Sequence, residues 1–214
     1  MTKHSFQIMA EKQIHFLSGD IEIEGLLYSS VGDKGVVITH PHPLYGGNMY
    51  NNVVEVLVRI YQLEGYTTLR FNFRGVGLSK GAYDSGIGEQ EDVRAALQYL
   101  AQQGKKILDL AGYSFGSWVN ALAISEVDTV DRMVMISPPV AFMDFNSVGL
   151  IPQIQLVVAG SRDDIAPPEL IKKMLPTWNP RAHLKVIDGA DHFYLGYTGK
   201  LESVLTAYLK DHGA

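Results

Sequence analysis

The chain has 214 residues, 46% of them hydrophobic, with 18 Lys and Arg against 23 Asp and Glu for a net charge of −5, and no cysteine. One domain over residues 1–214 is expected, with a core that needs no disulfide and no thiolate metal site. No block of basic residues offers a face for nucleic acid, and no run approaches the roughly 20 apolar residues of a membrane span. The first residues lead into no apolar stretch of signal-peptide type, so a cytoplasmic location is expected, with neither nucleic acid nor membrane as partner.

In chain order, 13–17 and 21–29 flank Ser18-Gly19-Asp20, and Ile21-Glu22-Ile23-Glu24 alternates with period two. That predicts an antiparallel hairpin with one wet face. From Gly35 the pattern changes to short β-branched runs without alternation, which mark strands covered on both faces. They fall at 35–39, 67–71, 107–111, 133–136, 154–159 and 183–187. Between them, helical spacing of apolar residues predicts helices over 51–63, 90–103, 117–125, 168–175 and 201–209. The alternation implies an α/β fold, a mostly parallel sheet with helices on both faces, whose ligands sit beyond the carboxyl ends of the strands. Polar residues just after each strand are therefore the candidates for chemistry.

The run at 107–111 leads into Gly112-Tyr113-Ser114-Phe115-Gly116 and then a helical stretch. A Gly-x-Ser-x-Gly turn between strand and helix presents its serine at a helix N-terminus, as a nucleophile elbow does. Such a serine needs a base that titrates near neutrality. Of the seven histidines, His192 follows the last strand, at the edge where Ser114 stands. His183 lies at that strand's opposite end, while His4, His15 and His212 are terminal or on the hairpin. The strand at 154–159 exits into Gly160-Ser161-Arg162-Asp163-Asp164-Ile165-Ala166-Pro167. There Asp163 is the favoured carboxylate to orient the imidazole, with Asp164 as a cap or surface charge and Asp188 and Asp191 ranked lower.

The exit at Thr39 continues as His40-Pro41-His42-Pro43-Leu44-Tyr45-Gly46-Gly47. An oxyanion site needs one N–H from the residue after the nucleophile, Phe115, and one from this loop. Pro41 and Pro43 carry no N–H, which leaves His42, Leu44 and Tyr45, and Leu44 is the choice. His40 and His42 resemble a metal pair but lack a third clustered ligand, so no metal is expected. His42, Tyr45 and Phe193 are candidates for substrate contact. Trp118, Phe142 and Tyr194 could also line an acyl pocket, although core packing is the default for such aromatics. The stretch 74–81 resembles a phosphate loop only in composition and reads as a turn.

Together these motifs resemble the α/β-hydrolase superfamily over nearly the whole chain. Gly-Tyr-Ser-Phe-Gly, the Asp-Asp-Ile-Ala-Pro turn, Gly-Ala-Asp-His-Phe and Asn-Phe-Arg-Gly-Val-Gly-x-Ser each fall where that fold keeps them. His-Pro-His-Pro-Leu-Tyr-Gly-Gly resembles small bacterial hydrolases akin to dienelactone hydrolases and the Xaa-Pro dipeptidyl-peptidase-like branch. The resemblance implies an eight-stranded sheet, a triad of Ser114, Asp163 and His192, and no cofactor. Residues 137–153 leave room for about one short helix, so no substantial lid is expected. The expected activity is hydrolysis of small carboxylic esters, with thioester or amide hydrolysis as the runner-up and a non-catalytic binding protein as the rival.

Overall fold

The alternating N-terminal segment forms two antiparallel strands, β1 (Lys12–Ser18) and β2 (Ile21–Tyr28), in a computed structural model that describes residues 8–124 and 130–212. The unalternating runs form β3 (Lys34–Thr39), β4 (Thr67–Phe71), β5 (Ile107–Tyr113), β6 (Arg132–Ile136), β7 (Ile154–Gly160) and β8 (His183–Ile187). They join one eight-stranded sheet in the order β1-β2-β4-β3-β5-β6-β7-β8. From β4 to β8 every pairing is parallel, and β2 meets β4 antiparallel.

The helices are α1 (Asn52–Leu63), α2 (Ile87–Gln102), α3 (Phe115–Ala123), α4 (Pro168–Trp178) and α5 (Thr198–His212). The helix predicted over 117–125 starts two residues earlier, and its end at Ser125, like His4 and the His212 side chain, lies outside the described residues. Successive strand residues point to opposite faces, so the sheet feeds two cores. Val37, Leu108 and Leu110 pack with α2, α3 and α4, while Val36, Ile38 and Ala111 pack with α1 and α5.

Other local outcomes also differ from the sequence expectation. Helix α2 begins at Ile87 rather than at residue 90, because the Glu89 carboxylate accepts the N–H groups of Asp84 and Gly86, each at 2.8 Å. Those bonds satisfy backbone donors that a helix start leaves without partners. Helix α4 runs past Leu175 through Pro176, and its last turn is held by Trp178, which is fully buried and stacks on Phe145 at 5.1 Å. Residues 137–153 form turns and no helix. Prolines at 138, 139 and 152 remove backbone donors there, and Phe145, Val148 and Ile151 are buried against the sheet. This short connection leaves the carboxyl edge of the sheet uncovered. Among the described residues, no helix is long and apolar enough to cross a membrane.

The stretch 74–81 is a turn, as its spacing predicts. The Arg74 guanidinium pairs with the buried Asp92 carboxylate at 2.7 Å, and the Leu78 N–H donates to Glu24 at 2.7 Å.

Candidate active site

The parallel strands β5, β7 and β8 end along one edge of the sheet, with β6 between β5 and β7, and each delivers one polar side chain. At the end of β5 the chain turns so sharply that Ser114 sits at φ 54° and ψ −119°, in a region L-residues rarely adopt. Its N–H is anchored by donation to Ile136 O on β6 at 2.8 Å. The flanking glycines are required by contact. A Cβ on Gly112 would stand 2.6 Å from Asn120 Nδ2 and 2.7 Å from the backbone at 116 and 117; on Gly116 it would stand 2.5 Å from Thr39 Oγ1 and 2.8 Å from His40 O. Gly116→Ala is therefore expected to wedge α3 away from β3 and to cost about 1–3 kcal/mol, read as a lowered urea midpoint.

His192 comes from the loop after β8, and its Nε2 accepts from the Ser114 hydroxyl at 2.9 Å. Its other nitrogen, Nδ1, donates to both oxygens of Asp163, at 3.0 and 2.9 Å. The loop itself is tied down from the elbow, since the Tyr113 hydroxyl donates to His192 O at 2.7 Å. Asp163 is buried, and Oδ1 also accepts the N–H groups of Ile165 and Ala166 at 3.0 and 2.8 Å. Burial alone pushes this carboxyl up. The bonds and charge of His192, with a bond from Ser137 and the Ala166 N–H, outweigh that and hold it below its ordinary value. Asp164 is exposed, Asp188 accepts from Ser161 at 3.2 Å, and Asp191 accepts the N–H groups of Phe193 and Tyr194, so none of these turns to the imidazole.

Behind Asp163 lies a pair absent from the sequence reading. The Ser137 hydroxyl hydrogen-bonds the Asp163 carboxylate, and Tyr194 Oη is 2.8 Å from Ser137 Oγ. Both residues are fully buried, and both hold a positive φ, 46° and 55°. The signal is present in the sequence: Ser137 is the first residue after β6, one more polar residue at a strand exit. Tyr194 is thus a core residue, whereas Tyr45, Phe142 and Phe193 line the cleft.

The loop after β3 corrects one expectation. The Leu44 N–H donates to His42 Nδ1 at 3.2 Å, Leu44 does not line the cleft, and the Tyr45 N–H donates to His42 O at 3.1 Å. Neither N–H is free to receive an anion, because Pro43–Tyr45 closes into one turn of 3₁₀ helix capped by the His42 ring. Of the three residues considered, His42 keeps an N–H outside the described hydrogen bonds and lines the cleft with Phe115. Phe115 stands first in α3, where backbone donors have no helical partner.

His40 and His42 shape this loop. His40 Nε2 accepts the Phe73 N–H at 3.0 Å and its Nδ1 lies 2.7 Å from Pro41 O, so the proton is on Nδ1. His42 Nδ1 accepts from Leu44, which leaves the proton on Nε2 to donate to Tyr83 Oη at 3.2 Å. Complete burial lowers the His40 pKa to about 4. The unfolded chain takes up this proton near pH 6.5, while the folded chain refuses it until about 4. Acidification through that window therefore removes about 3 kcal/mol of stability at this site. Asp109 opposes it: burial raises its pKa to about 6, and the folded state gains as pH falls from there towards 3.8. Ring ¹⁵N shifts are expected to show His40 as the neutral Nδ1–H form at pH 5.5. An imidazolium at that pH would contradict its burial.

Over 92% of its length the chain is 34% identical to an uncharacterized protein of Rickettsia prowazekii, of which it covers 88%. Among solved structures it is similar to an α/β serine hydrolase homologue from Coxiella burnetii, at 31% identity over 95% of this chain and 99% of that one, with a TM-score of 0.87. A Xanthomonas campestris member of the α/β serine hydrolases without a lid aligns at 28% identity over 97% of each chain, with a TM-score of 0.85. A Pyrococcus furiosus esterase, 21% identical over 94% of this chain and 92% of that one at a TM-score of 0.77, is alike in fold alone. No family model matches the sequence.

Proposed function

From the premise that this chain belongs to the α/β-hydrolase superfamily, among its serine hydrolase homologues without a lid, we propose that it hydrolyses small carboxylic esters through Ser114, His192 and Asp163. The observation that carries the reading is the unbroken line of hydrogen bonds from the Ser114 hydroxyl through both nitrogens of His192 to Asp163, at the wall of an open cleft.

In this reading Ser114 Oγ attacks the ester carbonyl while its proton passes to His192 Nε2. The C–O bond to the alcohol breaks, and the imidazolium returns that proton to the departing oxygen. Water then attacks the acyl-enzyme with His192 again as base, releasing the carboxylic acid and restoring the Ser114 hydroxyl. Asp163 holds the imidazole in the tautomer whose Nε2 is free to accept, and Ser137 with Tyr194 positions Asp163 from behind. The N–H groups of Phe115 and His42 receive the oxyanion, and the Tyr83 hydroxyl holds His42 in place. A donor of that kind is worth about 3 kcal/mol in the barrier. No step requires a cofactor.

The test is covalent. A fluorophosphonate probe is expected to label the folded protein once, at Ser114 as mapped by peptide mass spectrometry, and to stop hydrolysis of p-nitrophenyl butyrate in proportion. A folded protein that neither reacts nor hydrolyses would instead fit a binding module.

A further inference from the structure

The cleft at Ser114 encloses about 730 Å³, and among the described residues none that lines it is Lys, Arg, Asp or Glu. That volume lies in the range of pockets that take a ligand of drug size, well beyond an acetyl group. Several polar groups at its wall are already committed. Asn51 Oδ1 accepts the Val53 N–H at 2.9 Å, and His42 is engaged at both nitrogens, by Leu44 and Tyr83. Behind the wall, the Asp163 carboxylate is 2% exposed and taken up by His192, Ile165 and Ala166, and Asp191 accepts the N–H groups of Phe193 and Tyr194. Most of the remaining wall is apolar or aromatic: Pro41, Pro139, Met143, Ile165 and the rings of Tyr45 and Phe193.

A charged group entering this cleft gives up hydration and finds no opposite charge, so its binding is opposed. A neutral ring gains by contact with rings and by removing apolar surface from water. That surface is available, because Tyr45, Phe142 and Phe193 line the cleft while remaining 87%, 73% and 58% exposed.

Resting on the hydrolase reading above, we propose that this site selects uncharged carboxylic esters bearing an aromatic or branched apolar body, and excludes esters with a carboxylate, ammonium or phosphate group near the scissile bond. A substrate carrying a free carboxylate, a peptide with a charged amino terminus, and a thioester carrying phosphates all present a charge that this wall does not answer.

The experiment compares three esters that differ only in charge: methyl 3-phenylpropanoate, and the same molecule with a para-carboxylate or a para-aminomethyl group on the ring. Methyl acetate serves as the small reference, and kcat/KM is measured on the full chain by acid release. The neutral aromatic ester is expected to exceed both charged ones by about 100-fold, and to exceed methyl acetate. Phe142→Arg places a guanidinium at the exposed rim and is expected to raise the carboxylate ester about tenfold relative to the neutral one. A neutral-to-charged ratio under about tenfold, an unchanged ratio in Phe142→Arg, or no turnover of the neutral ester overturns the selection. Fluorophosphonate labelling of Ser114 in the same preparation separates the failures. Labelled protein without the preference sinks this inference alone, and protein that neither labels nor turns over any ester sinks the hydrolase reading with it.

Discussion

Ser114→Ala is expected to abolish fluorophosphonate labelling and to lower kcat on p-nitrophenyl esters by about 10⁵-fold or more, with the fold intact. The size follows from what one oxygen does in this arrangement. It is the atom that His192 Nε2 faces at 2.9 Å, and the bonds on the far side of the imidazole orient the base towards it. With the oxygen removed, the His192–Asp163 pair has no nucleophile to activate, and only the anion site and the cleft remain to favour attack by water. Folding should survive because the elbow is held by its backbone: Ser114 N–H donates to Ile136 O, and Gly112 and Gly116 admit Asn120, Thr39 and His40. Circular dichroism and a urea midpoint near wild type are the controls. Residual turnover within about tenfold of wild type would move the nucleophile elsewhere.

Asp163→Asn is expected to lower kcat by about 10⁴-fold with KM nearly unchanged. The backbone decides which half of the new amide faces the base. Oδ1 accepts the N–H groups of Ile165 and Ala166, so the amide oxygen takes that position and the NH₂ replaces Oδ2, the nearer of the two contacts to His192 Nδ1 at 2.9 Å against 3.0 Å. A donor there turns Nδ1 into an acceptor and moves the imidazole proton to Nε2. That nitrogen then presents a proton to the Ser114 hydroxyl where it must accept one. Asp163 is buried behind His192 and does not line the cleft, which is why KM should hold. Tautomer-sensitive ring ¹⁵N shifts of His192 provide a readout that a packing defect does not move. Activity within about tenfold of wild type would remove Asp163 from the orienting role.

Much of this site can be read along the chain because parallel sheets order their exits. Once the unalternating runs are recognised as strands, Ser114, Asp163 and His192 stand at the ends of β5, β7 and β8, each the polar residue of a turn too short to carry it far from the edge. Choice within the loop after β3 was not legible. Leu44 and His42 both own an N–H, and the difference is a hydrogen bond from Leu44 back to the His42 ring, fixed only when that ring meets Tyr83 and Phe115. Residues 137–153 show the same limit. Their length argued for a small helix, but burial of Phe145, Val148 and Ile151 against the sheet and α4 holds them as turns.

Taken alone, the amino-acid order determined which segments are strands and helices, that the sheet is mostly parallel, and which turns carry a serine, an aspartate and a histidine. Periodicity and turn chemistry are local properties, written in neighbouring residues. Only the tertiary structure decided what those side chains meet: the carboxylate backed by Ser137 and Tyr194 and, among the described residues, a loop N–H left unspent at His42 and a cleft wall without Lys, Arg, Asp or Glu. Each of these depends on distance and burial between residues far apart in the chain, and packing alone sets both.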